Sequence, residues 1–150
     1  MTNKNVINHI HTLLWEYTAN YVETSEDSKT KLYKIAVENN FSRYNSNCGD
    51  TIEQLEITDC DDFDITDYKV IGDRIIVSFE MIFIAIVNRT TDRFYHIEGT
   101  AIGTLSVPSG DNFDFERYDF DDMNKPQLFE YFDIIKDIDL HFEDVEYMGE

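Results

Sequence analysis

Proline is scarce in this chain: there are 2 in 150 residues, with only 6 glycines and 2 cysteines. So few breakers and no glycine-rich tract exclude a collagen-like, linker-like or low-complexity chain. Cys48 and Cys60 form no CxxC pair, so neither a zinc ribbon nor a redox motif is present. They read as free thiols of a reducing compartment. The longest apolar run, Met81 to Val87, is far short of the roughly 20 residues of a membrane helix. The first residues, Met1 to Asn5, lack a basic run followed by an apolar core, so no leader is expected. The expectation is a cytoplasmic protein with no membrane contact.

Positive charge is the other shortage. Twelve Lys and Arg face 31 Asp and Glu, a net of −19. Residues 1–50 carry a net of −1, residues 51–100 a net of −7 and residues 101–150 a net of −11. Seven lysines stand beside 17 isoleucines and 11 asparagines, although all three share A/T-rich codons. Codon bias therefore does not account for the deficit. Such a field works against direct binding of nucleic acid and favours basic partners.

What the chain does have is apolar residues, 42% of the total, with 11 Phe and 9 Tyr. A single domain over residues 1–150 suffices to bury a core without disulfides or metal. Val6, Ile10, Leu13, Leu14, Tyr17 and Tyr21 have helical spacing, predicting a helix over 6–22 capped by Asn3 or Asn5. Ser25-Glu26-Asp27-Ser28 is a helix start signal. Lys31 to Val37 is ambiguous between helix and strand, and is assigned to helix. Residues 42–51 have the composition of a loop.

From residue 64 the period changes to two. Strands are predicted over Ile65–Ile71, Arg74–Val87 and Arg93–Val107, joined by turns at Gly72-Asp73 and Arg89-Thr90-Thr91-Asp92. On the second strand both faces become apolar towards the end, through Ile82, Ile84 and Ile86, which predicts cover on both sides there. On the third, Gly99, Ala101 and Gly103 invite close approach of the 6–22 helix. A shorter strand is expected at Phe113 and Phe115, a helix from Pro126 to Ile135 capped by Asn124, and a last strand through Ile138, Leu140 and Phe142. The fold class is α+β: an antiparallel sheet of four or five strands around a long central hairpin, with N-terminal helices and one C-terminal helix packed on it.

Three acidic clusters stand out. Asp59, Asp61, Asp62, Asp64 and Asp67 suggest calcium, but positions six and twelve of an EF-hand counted from Asp59 hold Asp64 and Val70 instead of Gly and Glu. They read instead as a solvated acidic loop, and tight calcium binding is not expected. Asp111, Asp114, Glu116, Asp119, Asp121 and Asp122 alternate with aromatics, as on an edge strand with a charged face. Asp137, Asp139, Glu143, Asp144 and Glu146, with Asp133 before them, carry charge that Lys136 alone opposes. The last two clusters are expected to form one partner-binding surface. His9 and His11 do not share a helix face, so they do not co-ligate a metal. No GxSxG, HExxH, P-loop or GxGxxG occurs.

The function expected from these features is that of an acidic, cofactor-free binding protein. Its carboxylates would occupy the groove of a nuclease or another basic nucleic-acid-binding protein, as in anti-defence proteins such as anti-CRISPRs, or in immunity proteins. Two other classes remain open: an interaction module whose acid serves solubility, and a carboxylate enzyme, for which no constellation is singled out.

Overall fold

A computed structural model describes residues 2–39, 52–89 and 94–149. The chain runs α1 (Asn3–His9), α2 (His11–Thr24), α3 (Glu26–Asn39), β1 (Ile52–Ile71), β2 (Arg74–Arg89), β3 (Phe94–Pro108), α4 (Lys125–Phe129) and β4 (Lys136–Gly149). The strands form one antiparallel sheet in the order β1-β2-β3-β4. This is the expected α+β class, with the β2–β3 hairpin at its centre. The loop at 42–51 and the residues between β2 and β3 lie outside the described residues.

The predicted 6–22 helix is two helices. Thr2, not Asn3 or Asn5, caps the first, and Asn3 instead accepts the Gly110 N–H. The break falls at Ile10, with φ −94° and ψ 11°. Residues i and i+2 point to different sides of a helix. The two histidines flanking the break reach different elements: His9 packs edge-on against Phe120, and His11 against Phe63. Residues 31–37 are helical within α3, where Leu32 and Ala36 are buried while Tyr33 and Val37 face solvent. Ser25 starts that helix by accepting the Ser28 N–H.

β1 is far longer than its predicted Ile65–Ile71 segment. The acidic stretch 59–67 is strand, not loop: Ile57, Cys60 and Phe63 are buried, brought to one face by bulges between them, and the segment pairs with β2. Phe113 and Phe115 are not on a strand. Both sides of β3 are already occupied by β2 and β4, and residues 113–120 curl around a short 3-10 turn at Phe115–Arg117 into an aromatic cluster. There Phe113 meets Phe115 at 4.7 Å, and Tyr118 meets Tyr131 at 4.6 Å. The C-terminal helix is only Lys125–Phe129, followed by a 3-10 turn at Phe132–Ile134. Its Asn124 cap is the expected one and forms a capping box with Gln127.

The sheet's inner face carries Ile75, Val77, Phe79, Met81, Phe83, Ala85 and Val87 from β2 and Tyr95, Ile97, Ala101, Leu105 and Val107 from β3, all buried. Fully burying one large side chain such as Phe79 or Phe83 stabilises by roughly 1.5–3 kcal/mol. The Gly99-to-Gly103 step admits these rings rather than a helix. A β-carbon on Gly99 would stand 2.9 Å from the Phe83 ring, and one on Gly103 would stand 1.9 Å from the Asp139 carbonyl oxygen of β4. The helices approach the edge strands more extensively than the centre: α2 lies against β1, and α3 touches both β1 and β4. The helices thus cover one face of the sheet and lean on its edge strands. Irregularities fall on those edge strands. Register is unbroken between β2 and β3 but shifts four times in β1 and three times in β4, and bulges bend strands.

Three of these edge-strand residues, Asp62, Asp137 and Asp144, have φ of 56°, 56° and 53°. Asp tolerates this left-handed region better than most side chains. Part of the chain's acid therefore has a backbone role, since bulges at sheet edges also discourage pairing with other chains.

Candidate functional site: the outer face of the sheet

With the helices on one face, the other face of the sheet carries no further layer among the described residues. The expected double cover of Ile82, Ile84 and Ile86 is absent: Ile82 is 37% exposed and the other two are half-buried.

Register places the rest of this face, because directly paired residues share a side of the sheet. On β1, Glu56, Asp59 and Asp61 pair with Ile86, Ile84 and Ile82, while Asp64 and Asp67 pair with Glu80 and Ser78. On β4, Asp139, Glu143 and Glu146 pair with Thr104, Thr100 and Glu98. A stripe of isoleucines (Ile76, Ile82, Ile84, Ile86 and, on β3, Ile102) runs between two rows of carboxylates. The rows lie on strands three spacings apart, about 14 Å. Glu98, Asp144 and Glu146 border a shallow depression of about 240 Å³ floored by Gly99, with Ile82 and Met148 at its sides.

The charge on this face is poorly compensated. Among the described residues, the lysine ion pairs are Lys31–Asp27, Lys34–Glu38 and Lys125–Glu16, all on the helices. On the sheet, His141 meets Glu143 at 3.2 Å; at one end Lys69 stands opposite Ile76 and Lys136 opposite Ser106, and Arg74 donates to the Ser106 hydroxyl and the Ile134 carbonyl. Two carboxylate pairs, Asp64 with Glu80 and Glu98 with Glu146, sit directly across from each other. Like charges so placed destabilise a sheet.

The three acidic clusters are therefore regrouped. The first joins the third on the sheet. The second, Asp111 to Asp122, belongs to the helix side: Asp121 accepts from Thr12, and the Tyr118 carbonyl accepts from His9. Asp111, Asp114 and Glu116 line a separate concavity of about 420 Å³ made by residues 110–116 alone. Asp119 holds the Asp122 carboxyl above the usual carboxylate range by sharing a hydrogen bond with it and adding like charge. Sequence reasoning missed the isoleucine stripe and the part of β1 in the site; the alternation of Glu56, Asp59 and Asp61 with buried residues is hidden by bulges. Among the described residues, no three His, Cys, Asp or Glu groups converge as a metal site.

Behind β1 lies Cys60, buried and a free thiol. Burial, then the charges of Glu23, Asp61 and Asp59, push its pKa up to about 12. Thiolate, not thiol, is the nucleophile. Iodoacetamide at about pH 8 should therefore leave Cys60 unmodified in the folded protein and label it once denatured, as read by peptide mass spectrometry. Labelling at equal rates in both states would contradict the burial described here.

Among the described residues no helix is long and apolar enough to cross a membrane. Comparison with known proteins gives no match: no family model, no curated protein and no solved structure is similar to the chain.

Proposed function

We propose that the protein is a binding protein that neutralises a basic, nucleic-acid-handling partner, with the outer, helix-free face of its sheet as the interface. The observation that carries this reading is the cost the face accepts. Two directly opposed carboxylate pairs and an open isoleucine stripe lower stability and solubility respectively, so neither serves the fold. Both suit an interface: apolar side chains supply contact at the centre, and carboxylates at the rim capture Arg and Lys. An acidic surface is complementary in charge to a basic channel of the kind that holds nucleic acid. The reading involves no catalytic step and no cofactor, and it places the protein in the cytoplasm beside such a partner. Acid present only for solubility, as in an interaction module, would not need to oppose itself across neighbouring strands.

The test is competition. The protein, immobilised, is loaded with its partner from the native host, and duplex DNA or structured RNA is titrated in. Nucleic acid is expected to release the partner, and raised salt to weaken the complex, because exposed charges are screened over about 8–10 Å near physiological ionic strength. A partner that holds nucleic acid and this protein at once, with affinity flat in salt, would replace this reading with that of an interaction module.

A further inference from the structure

A third cavity, of about 200 Å³, lies at the edge of the sheet between α2, β1 and α4. Trp15, Glu16 and Glu23 enter it from α2, Cys60 from β1, and Lys125 and Phe129 from α4. The volume is below the roughly 300–1,000 Å³ of small-molecule sites and suits one side chain.

We propose that this cavity receives the guanidinium of a single arginine side chain presented by the partner. Two carboxylates and two aromatic rings around one small space are the complement of that group. It is planar and cationic, stacks on aromatic faces and bridges carboxylates with its forked donors. Trp15 is held in place, its indole N–H donating to the Cys60 carbonyl at 3.4 Å. Glu16 has a cation at hand, Lys125 at 3.8 Å; Glu23 has no ion pair within that reach among the described residues. Partial burial is the largest influence on Glu23 and raises its pKa, with the charges of Asp59 and Glu16 adding to the rise, against the pull of Lys125 and a hydrogen bond from the Cys60 thiol, so its charge is under-compensated. A ligand cation relieves that condition. The site also adjoins the carboxylate row of β1, since Asp59 lies close enough to act on both Glu23 and Cys60. An arginine entering here would wrap the β1 edge of the proposed interface. The inference rests on the partner reading for the source of the arginine, but not for the chemistry of the pocket.

Trp15 is the only tryptophan in the chain, so its fluorescence reports on this cavity alone. The folded protein is titrated with N-acetyl-argininamide, and with the neutral isostere N-acetyl-citrullinamide at matched ionic strength. A saturable change is expected with arginine and none with citrulline. Glu23→Gln should weaken the arginine response by at least about fivefold, and Lys125→Ala, which removes the competing ammonium, should strengthen it about two- to fivefold. Phe129→Ala, at a ring 48% exposed, removes one wall at little risk to folding and should also weaken it. An equal response to citrulline, no saturable response to arginine, or indifference to both Glu23→Gln and Lys125→Ala overturns the proposal. The probe is a free amino-acid derivative, so its failure bears on the pocket and leaves the sheet-face interface to the competition test.

Discussion

Replacing Gly103 by alanine is expected to lower stability by about 3 kcal/mol, the upper end of the usual cost of overpacking. The added carbon would stand 1.9 Å from the Asp139 carbonyl oxygen and 3.0 Å from its carbon. Those are backbone atoms of β4, next to the bulge where pairing jumps from Thr104–Asp139 to Ser106–Lys136. Relief requires that β4 move away from β3, with loss of ladder hydrogen bonds. The gain from a stiffer unfolded chain, about 0.4–1 kcal/mol for Gly to Ala, is too small to offset this. Gly99→Ala makes the control. Its nearest contacts, at 2.9–3.0 Å, are the Phe83 ring and a Val145 methyl, side chains able to shift, and a loss of about 1 kcal/mol is expected. Urea midpoints of the two variants decide it. Equal midpoints, or a Gly103→Ala protein as stable as the parent, would mean that β4 does not pack as described.

The largest effect on binding is expected from neutralising both rims of the outer face of the sheet. Changing Asp59 and Asp61 to Asn, and Glu143 and Glu146 to Gln, removes steering charge from both sides of the isoleucine stripe. Association with the basic partner should slow about 10- to 100-fold at low salt, with a shallower salt dependence. Folding stability should hold or rise, because Glu98 would no longer face a charged Glu146. A matched variant in the loop, with Asp114, Glu116, Asp119 and Asp121 neutralised, should slow association less, since that loop is tied to the helices by Thr12 and His9. Stopped-flow rates across a salt series separate the outcomes. Unchanged rates in the sheet variant, flat with salt, would leave its acid a solubility device.

How far the sequence foretells this molecule depends on whether a segment's signal is local. The β2–β3 hairpin is legible because its alternation runs unbroken, and so is its register. β1 is not: its bulges shift the apolar phase between Ile57, Cys60, Phe63 and Ile65, so a strict period of two ends and the aspartates dominate the reading. The alternating aromatics of 113–120 mimic a strand, and only the occupied edges of β3 rule it out. The site was legible by charge and not by place. Counting finds the acid of β1 and of β4, but only the sheet order brings the two rows to opposite edges of one face, and only the packing of α2 and α3 on the other face leaves it free of the helices.

The arrangement of helices and sheet also bears on synthesis. The strands form a meander in which each pairs with the next, so the sheet can assemble strand by strand as it emerges. The helices come first, yet their closing contacts come last: the Lys31 ammonium donates to the Leu140 carbonyl and the His9 ring to the Tyr118 carbonyl, each across 109 residues. At about 5–20 residues per second, α1 to α3 wait roughly 5–20 s on the ribosome with Leu13, Leu14 and Leu32 uncovered. Through that interval those apolar side chains have only the helices themselves to pack against, and the contacts to Tyr118 and Leu140 close only once residues 118–140 have emerged.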